Sequence, residues 1–93
     1  MKIKAKEVFE LKPLYQKSFY GKAKVVVLEN GNEVLYSYGT PIIYKDLNKD
    51  RVYRLWNDWS ATTGRHIKAF IGLNKKGYQA LEYRKMEIEE VVL

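Results

Sequence analysis

Cysteine is absent from the sequence. That removes disulfides, thiolate nucleophiles, zinc–thiolate centres and iron–sulfur clusters together, and it fits a reducing compartment. Histidine is nearly absent, with His66 the only one. One imidazole among scattered carboxylates lacks the ligand spacing of a metal site, so neither a metal nor another cofactor is expected. No apolar run approaches the roughly 20 residues of a membrane-spanning helix. The opening Met1-Lys2-Ile3-Lys4-Ala5-Lys6 is charged but lacks the apolar stretch that completes a secretion signal. These absences predict a soluble, cytoplasmic protein with no membrane partner. Repeats, linkers and low-complexity tracts are also missing, and 93 residues make a single domain, 1–93.

Acidic side chains are the minority, with 17 Lys and Arg against 11 Asp and Glu for a net charge of +6. The imbalance is uneven: fifteen basic against seven acidic residues through Leu81, then two against four from Glu82 onward. A basic body can meet nucleic acid, an acidic protein or an anionic small molecule. The lysines are dispersed rather than blocked, which is also the pattern of a merely solubilising surface.

What is present builds a core. The chain is 46% hydrophobic and 14% aromatic, enough for one apolar interior without covalent or metal staples. Residues 22–28 (K-A-K-V-V-V-L) and 33–38 (E-V-L-Y-S-Y) flank Asn30-Gly31, a strong hairpin signal. Residues 42–45 and 51–56 read as further strands, and 3–9 as another. After Ser60, the spacing of Ile67, Phe70 and Ile71 predicts a short helix, with Thr62 or Thr63 as N-cap and Gly72 or Asn74 as terminator. Residues 79–88 read as strand through the alternation around Leu81, Tyr83 and Ile88. The expected fold is α+β: an antiparallel sheet of four or five strands with one short helix packed across one face.

Three constellations could carry function. Ser60, Thr62, Thr63, Arg65 and His66 crowd the helix entrance, where unpaired N–H groups either take hydroxyl caps or receive an anion. Thr62, Thr63, Arg65 and His66 are therefore the candidate anion or ligand site, set against ordinary capping. Catalysis by His66 would need a nucleophile and an orienting acid. Asp58 is the only acid close in sequence and no motif joins the pair to a serine, so the chain is read as non-enzymatic. The second constellation is the aromatic set interleaved with cations. Tyr36, Tyr38, Tyr53, Arg54 and Trp56 are the candidate partner-binding face, being of the residue types that dominate protein hot spots. The third, Ser37-Tyr38-Gly39-Thr40-Pro41, reads as a strand corner. It could also bring Thr40 to the helix mouth, so that Tyr38, Thr40, Thr62, Thr63 and Arg65 share one polar pocket.

Three blocks, K-S-F-Y-G-K-A at 17–23, L-Y-S-Y-G-T-P at 35–41 and W-S-A-T-T-G-R-H-I-K-A-F-I at 59–71, resemble an uncharacterised family of small proteins from phages and mobile elements of Firmicutes. The resemblance implies accessory roles such as host takeover or defence antagonism, and no mechanism. Gly64 departs from the larger residue, such as Met, expected there, and a glycine in the first helical turn could loosen it. The expected function is stoichiometric binding of a host component, a host protein first, as in an anti-CRISPR-like inhibitor. Two other readings stand beside it: a nucleic-acid-binding accessory or regulatory protein, and a protein that sequesters a small nucleotide signal. Homo-oligomerisation is left open.

Overall fold

β-Branched and aromatic side chains drive the middle of the chain into a meander. The computed structural model describes residues 3–14 and 18–89. In it the chain runs β1 (Ala5–Glu10), β2 (Ala23–Leu28), β3 (Glu33–Ser37), β4 (Thr40–Asp46), β5 (Arg51–Arg54), α1 (Ala61–Ile71), α2 (Lys75–Gln79) and β6 (Glu82–Tyr83). The strands form one sheet in sequence order; the first five are antiparallel neighbours and β6 lies parallel to β5. The α+β class and the antiparallel sheet under a short helix agree with the sequence reading, whereas the sheet has six strands rather than four or five and there is a second helix. Lys17, in the first of the three blocks, lies outside the described residues.

Alternation along the strands makes two rows. Val8, Val26, Val34, Tyr44 and Tyr53 are successive cross-strand partners, and Val25, Leu35 and Ile43 form a second row one residue out of step. Because neighbouring residues point to opposite faces, the first row belongs to one face and the second to the other, and Val25, Val26, Val34, Leu35 and Ile43 are all essentially inaccessible. Both faces of the central strands therefore need a cover.

One cover is α1. Ile67 is fully buried against Leu35, Ile42 and Ile43, with Phe70 and Ile71 packed beside it; burial of a side chain of this size contributes about 1.5–3 kcal/mol. Tyr78 from α2 joins the same cluster, and its hydroxyl shares its proton between the carbonyls of Ile42 (3.0 Å) and Trp56 (2.9 Å). Burial pushes that phenol up to about 12. The other cover is the segment after β6. Met86 and Ile88 pack on the Val26, Val34, Tyr36, Tyr44 and Tyr53 cluster, and the Arg84 guanidinium lies 5.5 Å from the Tyr44 ring centre and 5.2 Å from that of Tyr53. Ile3 N–H donates to the Glu87 carbonyl and Glu89 N–H to that of Ile3, so this segment ties the two edges of the sheet.

Several local expectations need correcting. The N-cap of α1 is Ser60, whose hydroxyl accepts from Thr63 N–H, and neither Thr62 nor Thr63. Gly72 does end the helix in the left-handed region, but Asn74 opens α2, accepting from Gly77 N–H at 2.8 Å. Residues 79–88 are not one strand, because burying Tyr78 needs the turn of α2 and only Glu82–Tyr83 pair with β5. The expected corner is a hairpin turn at Tyr38-Gly39. The bulge follows at Ile42, where Leu35 opposes Ile43 but Tyr36 opposes Pro41, and this irregularity accommodates a proline that has no ladder donor.

Gly64 does not loosen the helix. The Trp59 indole lies directly on it: a Cβ at this position would overlap Cζ2 of the ring and stand 3.0 Å from Cη2. The glycine is thus the socket of a close helix–indole contact. Alanine ordinarily stabilises a helix interior by about 1 kcal/mol over glycine, and forcing an extra carbon into a packed site costs about 1–3 kcal/mol. Gly64→Ala should therefore lower the thermal midpoint and shift tryptophan emission to the red as Trp59 is displaced. A raised midpoint with unchanged emission would show that the indole is not seated there.

Candidate functional site

The site begins with three polar side chains at the interface of α1 and β3. Helical spacing puts Thr63, His66 and Ile67 on the inward face of α1, and Ser37 is the last residue of β3. The Ser37 hydroxyl lies 2.9 Å from Thr63 Oγ1 and 2.8 Å from His66 Nδ1. All three residues are buried. Phe19 meets the imidazole edge-on at 4.5 Å, and the Tyr38 ring stands 5.8 Å from it. Burial first, and the neighbouring Arg65 charge second, lower the His66 pKa, which keeps the ring neutral at physiological pH. The Ser37–His66 contact has the makings of a nucleophile–base pair. However, the Asp58 carboxylate accepts from Trp59 N–H instead of reaching the imidazole. The trio acts as a polar clasp between helix and sheet.

Two hairpin-type turns stand beside the clasp. Tyr20 and Gly21 have φ of 52° and 74°, Tyr38 and Gly39 of 52° and 79°. Successive positive φ values at the two central residues define type I′ turns, and the first is closed by Lys22 N–H donating to the Phe19 carbonyl at 3.0 Å. The turns sit side by side, since Tyr38 N–H donates to the Lys22 carbonyl at 2.8 Å. Glycine suits the second position. At the first, Asn, Asp or Gly is the usual choice, and an aromatic residue in the left-handed region is strained by about 1–3 kcal/mol. Both tyrosines nonetheless point into solvent, 76% exposed at Tyr20 and 57% at Tyr38. The Lys22 ammonium lies 5.9 Å from the Tyr38 ring centre.

Tyr38 borders two hollows. The larger, about 300 Å³, is lined by Ser37, Tyr38, Thr40, Ile42, Trp56, Asp58, Trp59, Ser60, Thr62 and Thr63. The smaller, about 210 Å³, is lined by Phe19, Tyr20, Lys22, Tyr38, Thr62, Arg65 and His66. The convergence considered from sequence thus occurs for Tyr38, Thr40, Thr62 and Thr63, while Arg65 falls in the adjoining hollow that shares Tyr38 and Thr62. Thr63 and His66 are turned inward by the clasp, and Thr62 and Arg65 stay toward the surface.

The five-residue partner face does not exist as one surface. Tyr36 and Tyr53 are 7% and 9% exposed and belong to the cluster under Met86 and Ile88, because residue 36 repeats the facing of Val34 and residue 53 opposes Tyr44. Burial also raises the Tyr36 pKa. Arg54 is engaged: Nε donates to the Leu81 carbonyl at 2.9 Å, Nη1 donates to Asn57, and the guanidinium lies 5.5 Å from the Tyr83 ring. Of the five, Tyr38 and Trp56 line the larger hollow. Sequence reading places Tyr20 and Lys22 in the aromatic and cationic set but leaves them out of the five-residue face, and it misses Ser37 as the centre of the clasp. The repeated Tyr-Gly dipeptide, at 20–21 and 38–39, was the available signal. Among the described residues, no group of three or more His, Asp or Glu is placed to hold a metal, and no helix is long and apolar enough to cross a membrane.

The chain belongs to a family of unknown function (DUF8033), whose signature matches residues 9–90. No curated protein and no solved structure matches it.

The clasp makes stability depend on pH in a defined direction. His66 has a folded pKa below its ordinary 6.5, so the unfolded chain binds a proton that the native state resists. The contribution of neutral His66 is complete above about pH 6.5 and declines as pH falls below it toward the lowered native value. Thermal midpoints should therefore drop between about pH 7.5 and about pH 5.5, and His66→Gln should flatten that drop. An equal slope in the variant would detach His66 from the effect.

Proposed function

We propose, from membership of a family whose activity is unassigned, that this chain is a non-enzymatic binding protein that captures its target stoichiometrically at the paired hollows around Tyr38. One observation carries the reading: two tyrosines are held out in strained, adjacent turns where asparagine would be more comfortable. Strain that packing does not require points to use. Binding rather than turnover is supported by the buried, neutral state of the only imidazole and its engagement with Ser37.

The resemblance of the three blocks to phage and mobile-element proteins makes an accessory role in such an element the setting of this binding. A component of the host, such as a defence protein inhibited in anti-CRISPR fashion, is then the target. The surface used is not the sheet face, whose tyrosines are interior, but the turn end of the sheet with Tyr20, Tyr38, Trp56, Thr62 and Arg65.

Immobilised protein should retain a discrete component of a Firmicute lysate at near-equimolar yield, and the Tyr38→Asn, Arg65→Ala double variant should lose it while keeping the native circular dichroism spectrum. Equal retention by both proteins, or none by either, would end this reading.

A further inference from the structure

We infer that the smaller hollow takes a nucleotide unit, with its base against the exposed tyrosine rings and its phosphate toward Lys22 and Arg65. The inference deepens the binding reading and rests on it.

The charge of the lining is the first argument. Lys22 and Arg65 are its only side chains that carry charge at neutral pH, and no carboxylate lines it. The chain as a whole leans the same way, carrying +6 with its acidic excess confined to residues from Glu82 onward; the Glu10 carboxylate lies near Gly21, outside the lining. Such a hollow attracts an anion and repels a cation, which is the electrostatic requirement for phosphate.

The second argument is the rings. Tyr20 and Tyr38 are largely exposed beside that charge, and aromatic rings next to cations are the apparatus by which single strands and nucleotides are held, since every base offers a flat π surface. Neither ring is needed to close its turn, because the turn is set by backbone and glycine. A role outside the fold explains why tyrosine stands at both positions.

Size is the third. About 210 Å³ lies below the usual range of about 300–1,000 Å³ for drug-sized ligands. It suits one base with its phosphate at the rim, leaving the rest of a strand, or of a small nucleotide, outside.

The test uses the intact chain and a short fluorescein-labelled oligothymidylate, followed by anisotropy, with uridine monophosphate and inorganic phosphate as unlabelled competitors. Wild type should bind at low salt, with affinity falling on a log–log plot by about 0.7 per phosphate neutralised. Tyr20→Asn and Tyr38→Asn should each weaken binding about five- to a hundred-fold. Both place Asn-Gly in a type I′ turn, so their thermal midpoints should hold or rise, and lost binding cannot be ascribed to lost folding. Lys22→Gln with Arg65→Gln should flatten the salt dependence. If the monophosphate competes as well per site as the oligomer, a free nucleotide is the ligand; if the oligomer is far stronger, a strand is. No binding of either probe at low salt, or binding untouched by Tyr38→Asn, overturns the inference. Target capture that resists nuclease and still depends on Tyr38 would, in that event, leave the binding reading standing alone.

Discussion

The hydroxyl of Ser37 is the point at which helix and sheet agree on a register. The apolar contacts of Ile67, Phe70 and Ile71 under α1 carry no directional bonds and so specify register less sharply than a hydrogen bond does. The Ser37–Thr63–His66 clasp is not permissive: a shifted helix would leave buried hydroxyls and an imidazole unpaired, a penalty of about 1–3 kcal/mol for each group. Only one placement satisfies all three. That placement brings the surface residues of the same helical turns, Thr62 and Arg65, against Tyr38 and the paired hollows. A contact buried in the interior thereby fixes what the exterior presents.

Around this anchor the molecule divides its residues between comfort and use. The interior follows ordinary rules, with β-branched rows, a glycine where an indole needs room, and a phenol that satisfies two carbonyls. The turn end does not. Tyr20 and Tyr38 occupy a backbone region better suited to Asn and lie in adjacent turns, whereas the other described non-glycine residue with positive φ, Asp50, is of a type that region tolerates. Departures from local preference that cluster in space, on residues whose side chains face solvent, separate a surface under selection from one that is merely tolerated.

Much of the architecture was legible because strand formers and Asn30-Gly31 carry a local signal. The second helix was not, since the five residues of α2 are too few to show a period, and its cause is the burial of Tyr78, a tertiary event. Capping was misassigned to threonine because Ser60, Thr62 and Thr63 offer three similar hydroxyls, and only the fold reveals that Thr63 is occupied with Ser37. The tyrosines of the proposed sheet face were misread for a related reason. Tyrosine is amphipathic, so Tyr36 and Tyr53 look equally suited to core or surface until the cover supplied by Arg84, Met86 and Ile88 is seen. Gly64 is the mirror case, a residue that looks weak until its neighbour Trp59 is placed.

The union of Ile3 with Ile88 has a different significance. It joins positions about 85 residues apart through a pair of backbone hydrogen bonds, each worth about 1 kcal/mol net, while loop closure over such a span is entropically expensive. This fastening should therefore form after the meander and release before it, with the amide protons of Ile3 and Glu89 exchanging ahead of those in β2, β3 and β4. When it releases, Met86 and Ile88 are free to lift from the cluster that holds Tyr44 and Tyr53, while Arg84 stays tied to the Arg54 carbonyl, and part of a stacked aromatic floor becomes accessible to water. The molecule's least secure seam is thus also the one whose opening would make it adhesive.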